Sequence, residues 1–123
     1  MIYVDTSAVL KAVIAEEGSD RVRALFAEGV PLVSSRLLEV ELHAASQRSG
    51  VPQERVEALV DRIALIALDD EVVEHAVSAA SGLRSLDALH LATALLVAED
   101  LEGFLTFDDE LGRAAAARGL RRA

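Results

Sequence analysis

Short apolar runs rich in β-branched or aromatic residues alternate along this chain with longer stretches whose apolar positions recur every three or four residues. Ile2–Val4 is the first such run, and a helical stretch opens at Ser7 with Val9, Leu10, Val13 and Ile14 on one side. Ser19 heads a second helix bearing Val22, Leu25 and Phe26 on one face; it stops at Gly29, and residues 31–33 predict a second strand. Positions 35–49 predict a helix ended by Gly50, and Pro52 starts another that carries Val56, Leu59, Val60 and Ile63. Residues 65–68 are apolar and β-compatible. Asp69 or Asp70 caps a helix running to about Gly82, and Ser85 caps an apolar one from Leu86 to about Ala98. Residues 104–107 predict the last strand, and the Ala-rich segment 110–118 the last helix, with Arg113, Arg118, Arg121 and Arg122 toward its negative end.

Strands that alternate with helices, without hairpin signals such as Asn-Gly, imply parallel strands joined by helical crossovers. The expected fold class is α/β, a three-layer α/β/α arrangement around four strands. At 123 residues, with no repeat, low-complexity tract or linker, the chain is expected to form one domain over residues 1–123. Open sheets of this kind bind ligands beyond the carboxyl ends of their strands, so candidate chemistry is sought at that edge.

Two carboxylates fall there. Asp5 ends the first strand and Asp108 follows the last, each just before a helix. Either alone reads as an N-cap. If the two strands are parallel neighbours, however, both acids share one edge, where like charges repel unless a cation lies between them. Glu41 falls on the apolar stripe of its helix, four residues after Leu37 and three after Leu38, and a carboxylate there is costly unless paired or metal-bound. Its plain alternative is a stripe-edge acid reaching water or Arg36. Asp87 lies two residues after Ser85, where a first-turn acid is ordinary, in a run otherwise apolar through Val97.

Composition alters this picture in three ways. With 52% apolar residues the chain has material for a filled core, which excludes disorder. The absence of cysteine removes disulfides and thiolate metal sites. The opening MIYVDTS lacks a signal-peptide pattern and no apolar run reaches the ~18 residues of a membrane span, so a cytoplasmic, non-membrane protein is expected. A formal charge of −9 weighs against RNA binding through a broad basic face.

Four segments, MIYVDTSAVLKAV, VSSRLLEVELHAA, SLDALHLATALL and LTFDDEL, occur in this order, and with them nearly the whole chain resembles the PIN-domain ribonucleases, most closely the VapC-type toxins of toxin–antitoxin operons. The resemblance implies a PIN-like α/β/α domain with a short, mostly parallel sheet of four to five strands. It places the family's four acids on Asp5, Glu41, Asp87 and Asp108. It also implies a Mg²⁺- or Mn²⁺-dependent endoribonuclease cutting single-stranded or loop RNA, with 5′-phosphate and 3′-hydroxyl products. Asp5, Asp87 and Asp108 would coordinate metal directly or through water, and Glu41 would be a ligand or water-orienting base. Thr6, Ser7 and Thr106 match the family's hydroxyls in supporting roles, while Asp109 and Glu110 lie beside the last motif with roles left open. All-oxygen donors suit such hard ions, and part of the acidity then becomes a metal pocket.

The resemblance further implies a cognate VapB-type antitoxin that wraps the first helices and sends a basic side chain into the acidic pocket. A homodimer is expected from aliphatic faces on helices 7–15 and 19–28. His90 reads as a packed core histidine, with His43 and His75 elsewhere, and Lys11 and Arg36 as solvated surface groups. Two other classes compete: a non-catalytic PIN-like interaction module and a small receiver-like domain with an acidic pocket. A receiver needs adjacent acids after its first strand and a lysine after its last, whereas Asp5 is followed by Thr6 and the only lysine is Lys11.

Overall fold

The computed structural model describes residues Met1–Ala123. Four parallel strands form one sheet in the order β3-β2-β1-β4, where β1 is Ile2–Val4, β2 Leu32–Ser35, β3 Ile63–Ile66 and β4 Gly103–Leu105. Helices α1 (Thr6–Val13) and α2 (Ser19–Ala27) connect β1 to β2, and α3 (Leu37–Arg48) and α4 (Gln53–Val60) connect β2 to β3. The chain then returns through α5 (Asp70–Ser78) and α6 (Ser85–Leu96) to β4 and ends in α7 (Asp109–Ala117). This is the expected three-layer α/β/α architecture. The C-terminus adds a minimal fifth strand beside β4: the Phe104 N–H donates to the Arg121 carbonyl at 2.7 Å and the Ala123 N–H to the Phe104 carbonyl at 3.0 Å.

Strand residues alternate between two cores because successive side chains leave opposite faces of a sheet. Val4, Leu32 and Leu105 pack with Val9, Val22, Leu38, Leu42 and Val56 from α1–α4. Tyr3, Val33 and Phe104 face the other way, onto Leu91 and Ala94 of α6 and Leu111 and Ala115 of α7. Tyr3 sits opposite Phe104 in the ladder, and their rings stack at a centroid distance of 5.2 Å.

Several boundaries differ from expectation. The third strand is Ile63–Ile66 rather than residues 65–68, because Ile63 pairs with Leu32 and the ladder ends where β2 ends, at the Ser35–Ile66 pair. The second strand runs on through Ser34 to Ser35, taking Ser35 from the expected helix, and Pro31, which has no N–H for the ladder, lies just before the strand and accepts from Ile2 N–H. Asp5, not Ser7, heads α1, and Gly18, not Ser19, caps α2. The apolar residues Val9, Val13, Val22 and Phe26 of the first two helices pack in the core, while Leu10, Ile14 and Leu25 are only partly buried against it.

The topology positions the site. β1, β2 and β3 run in sequence toward one edge, whereas β4 lies on the opposite side of β1. The order of the strands therefore reverses between β1 and β4, and the crevice beyond their carboxyl ends is the place where an open α/β sheet receives a ligand. Asp5 and Thr106-Phe107-Asp108 are the residues that leave those two strands.

Candidate functional site

Asp5 is 4% exposed and caps α1, its Oδ1 accepting from the Ala8 N–H at 3.0 Å. Two hydroxyls complete its surroundings. Ser7 Oγ donates to Oδ1 at 2.7 Å and Thr106 Oγ1 donates to Oδ2 at 2.6 Å. Each hydroxyl also accepts a backbone N–H from the β4–α7 connection, Ser7 from Phe107 at 2.9 Å and Thr106 from Asp108 at 3.0 Å. Asp5 thus ties α1 to the end of β4. Burial pushes its carboxyl pKa up, and the hydrogen bonds from Thr106, Ser7 and Ala8 only partly oppose that push.

Asp108 caps α7 as its sequence position predicts, Oδ1 accepting from the Leu111 N–H at 2.9 Å. Both strand-end acids are therefore helix caps, and because β1 and β4 are parallel neighbours they also stand at one edge.

Glu41 is partly buried on α3, with its Oε1 accepting from Thr6 Oγ1 at 2.7 Å and from His90 Nε2 at 2.8 Å. Burial alone would raise its pKa, but the hydrogen bonds from His90 and Thr6 outweigh it and hold the carboxyl below its ordinary range. Arg36 is engaged elsewhere, with Glu39 at 2.6 Å.

His90 is the residue that sequence reasoning left out of the site. It is buried, as expected of a histidine in an apolar helix, but its Nε2 reaches Glu41 and its Nδ1 lies 2.7 Å from the Tyr3 hydroxyl. That hydroxyl accepts from the Ser35 N–H at 3.1 Å. A neutral ring with its proton on Nε2 satisfies every member of the chain: Ser35 N–H to Tyr3, Tyr3 O–H to Nδ1, Nε2–H to Glu41. Two signals were available in the sequence: a histidine one helical turn after Asp87, and the only tyrosine in the first strand.

Asp87, in the first turn of α6, is half-buried and has no protein hydrogen-bond donor. Burial raises its pKa, followed by the charges of Asp108, Asp5 and, more weakly, Glu41. All four sequence-selected acids thus act on one electrostatic neighbourhood. Asp109 and Glu110 are exposed on α7, with Asp109 4.0 Å from Arg122, and His43 and His75 lie outside the cluster. A groove of about 500 Å³ adjoins the cluster between α1 and α3, lined by Thr6, Ser7 and Glu41 and, farther along, by Leu10, Val40 and Arg48.

The donor set fits a hard divalent cation. Every donor is oxygen, Asp87 accepts no protein hydrogen bond, and the second oxygens of Glu41 and Asp108 carry none either. No three Asp, Glu or His side chains converge closely enough to enclose an ion by themselves.

Comparisons with known proteins converge on the same fold. The PIN domain family matches residues 2–117. Ribonuclease VapC47 of Mycobacterium tuberculosis is 36% identical over 118 residues, 90% of this chain and 87% of that protein. Ribonuclease VapC46 of the same species is 35% identical over 97% of this chain and 93% of its own length. Among solved structures, the sarcin–ricin loop cleaving toxin VapC20 of M. tuberculosis superposes with a TM-score of 0.70 at 16% identity, covering 100% of this chain and 98% of the other. A toxin–antitoxin complex from Klebsiella pneumoniae gives the same TM-score, 0.70, at 19% identity, with 88% and 87% of the two chains covered. On the evidence of matched sequence and shared architecture, the chain belongs to the PIN-domain family and groups with its VapC ribonucleases.

Proposed function

We propose that this protein is a toxin-type endoribonuclease that hydrolyses phosphodiesters in single-stranded or loop RNA with the help of Mg²⁺ or Mn²⁺. The observation that carries the reading is the accumulation of like charge on Asp87 beside Asp5, Asp108 and Glu41 at the β1/β4 switch point. A structural ion-pair network would have placed a cation there. None of the twelve Lys and Arg side chains is hydrogen-bonded or ion-paired to these four acids.

In this reading Asp5, Asp87 and Asp108 hold the ion, directly or through water. The chemistry such an ion supplies is acidification of water and offset of negative charge on the phosphate and on the leaving 3′-oxygen. Glu41, kept ionised by His90 and Thr6, is an acceptor ready to orient a water or serve as a ligand. Ser7 and Thr106 hold Asp5 in one rotamer. The negative balance of the chain, −9, means that RNA is held through the ion and a few cationic side chains, so free affinity is low and divalent dependence strong.

The relatives' assemblies suggest the partners. A VapB-type antitoxin would lay an apolar segment in the groove of Leu10 and Val40 and point a basic side chain at the acids. Val73, Val77 and Leu86 on α5 and α6 are exposed and would suit a homodimer contact. No helix is long and apolar enough to cross a membrane, in keeping with a cytoplasmic toxin.

The deciding experiment is cleavage of a single-stranded RNA by the purified chain with and without millimolar Mn²⁺, beside Asp5→Asn. The expected result is Mn²⁺-dependent cleavage that the variant, still folded by circular dichroism, lacks. Equal cleavage by both would overturn the assignment of Asp5, and a parent unable to cleave any RNA would favour the non-catalytic module.

A further inference from the structure

Of the chain's one tyrosine and three phenylalanines, Tyr3, Phe26 and Phe104 are buried, and Phe107 alone keeps 36% of its surface exposed. Phe107 belongs to neither apolar core. Packing therefore does not account for it, yet its position is closely determined. Its N–H donates to Ser7 Oγ, the hydroxyl that donates to Asp5, and its next neighbour is Asp108. The residue thus leaves the chain beside the acid cluster, and its ring lies against Lys11 and Gly18.

Two further features hold it there. Gly18, at φ +91°, lets the backbone of the α1–α2 connection press against the ring edge: a Cβ at that position would stand 2.7 Å from Cε1 of Phe107. The left-handed conformation and the close approach both demand glycine. Lys11, the only lysine, places Nζ 5.0 Å from the ring centroid, a cation–π distance, and is tethered by Glu16 at 3.2 Å. The result is an aromatic surface with an adjacent ammonium beside acids that repel phosphate.

We propose that Phe107 is a stacking platform for the RNA base next to the cut phosphate, with Lys11 as the cation for that nucleotide's phosphate. The proposal rests on the ribonuclease reading and adds to it how an acidic chain grips its substrate. Every base has a π-face, so an aromatic ring supplies sequence-tolerant affinity without a basic surface, and single-stranded or loop RNA has the unstacked bases to offer.

The chain contains no tryptophan, so Phe107→Trp creates a single fluorophore at the platform. In an Asp5→Asn background, which does not cleave, titration with a single-stranded RNA oligonucleotide in millimolar Mg²⁺ is expected to quench that emission saturably. In the otherwise unaltered enzyme, Phe107→Leu, which keeps an apolar side chain against Gly18 but has no π-face, is expected to raise KM about 5- to 100-fold with far less change in kcat, while Phe107→Tyr stays within about 2-fold of the parent. Absence of quenching, or a wild-type KM for Phe107→Leu, overturns the platform; the second outcome would leave the ring as a protein contact instead. Failure of the ribonuclease reading looks different: the parent itself does not cleave. The quenching titration then judges the stacking surface by itself.

Discussion

His90 Nε2 lies 2.8 Å from Glu41 Oε1, joining two helices through residues 49 apart in sequence. The ring is buried while the carboxylate still reaches the groove, so the bond fixes an acid at the site from inside the core. His90→Leu removes that donor and leaves the Tyr3 O–H without its acceptor. It is expected to cost roughly 1–3 kcal/mol in urea denaturation and to lower kcat. His90→Gln can still offer an N–H to Glu41, and RNA cleavage should recover more fully than stability does. Equal kcat for the two variants would remove the positioning role.

Asp87 and Glu41 set opposite pH dependences in the metal-free protein. The raised pKa of Asp87 contributes stability that is present below its unfolded value near 3.8 and lost as pH rises through the folded value. The lowered pKa of Glu41 contributes stability present above 4.5 and lost as pH falls through its folded value. In chelator, Asp87→Asn should therefore raise the urea midpoint at neutral pH, whereas Glu41→Gln should blunt the loss below pH about 4.5. A neutral-pH midpoint for Asp87→Asn below that of the parent would contradict the repulsion argument.

Binding of Mn²⁺ to the folded state alone stabilises it, by about 2.7 kcal/mol at one hundred times the dissociation constant. The thermal midpoint of the parent should rise on adding Mn²⁺ in the presence of a non-chelating buffer. Asp5→Asn/Asp108→Asn should show little or no rise, since two of the acids proposed to hold the ion are then neutral. An equal rise in both would place the ion elsewhere.

Thr106 is buried and serves two partners, donating to Asp5 Oδ2 and accepting from the Asp108 N–H. Thr106→Val keeps the shape but leaves both partners unmatched, an expected loss of roughly 1–3 kcal/mol together with reduced cleavage. Thr106→Ser retains the hydroxyl and should keep most of the activity. Parent-like stability of Thr106→Val would show that water replaces the hydroxyl without cost.

An antitoxin arginine entering the acid cluster would meet carboxylates that no protein cation neutralises. Inhibition by an Arg-containing tail should weaken at high salt and with rising Mn²⁺. Full inhibition after replacing that arginine would assign the inhibition to the apolar groove alone.

What the sequence by itself determined was whatever depends on local pattern. Short apolar runs alternating with helically spaced stretches specified the α/β class and the parallel sheet, and four short motifs specified the family and singled out Asp5, Glu41, Asp87 and Asp108 as candidates. Strand ends were less legible: Ile63 read as part of the preceding helix, and only the ladder with β2 makes it strand. The tertiary structure alone decided what joins distant segments. It placed β4 beside β1, so that Asp5 and Asp108 share one edge, and it turned His90 from a packed core residue into the partner of both Tyr3 and Glu41. Hydrogen bonds and like-charge repulsion act over a few ångströms in space. Separation along the chain carries no record of that distance, so such pairings emerge only when the sheet order is known.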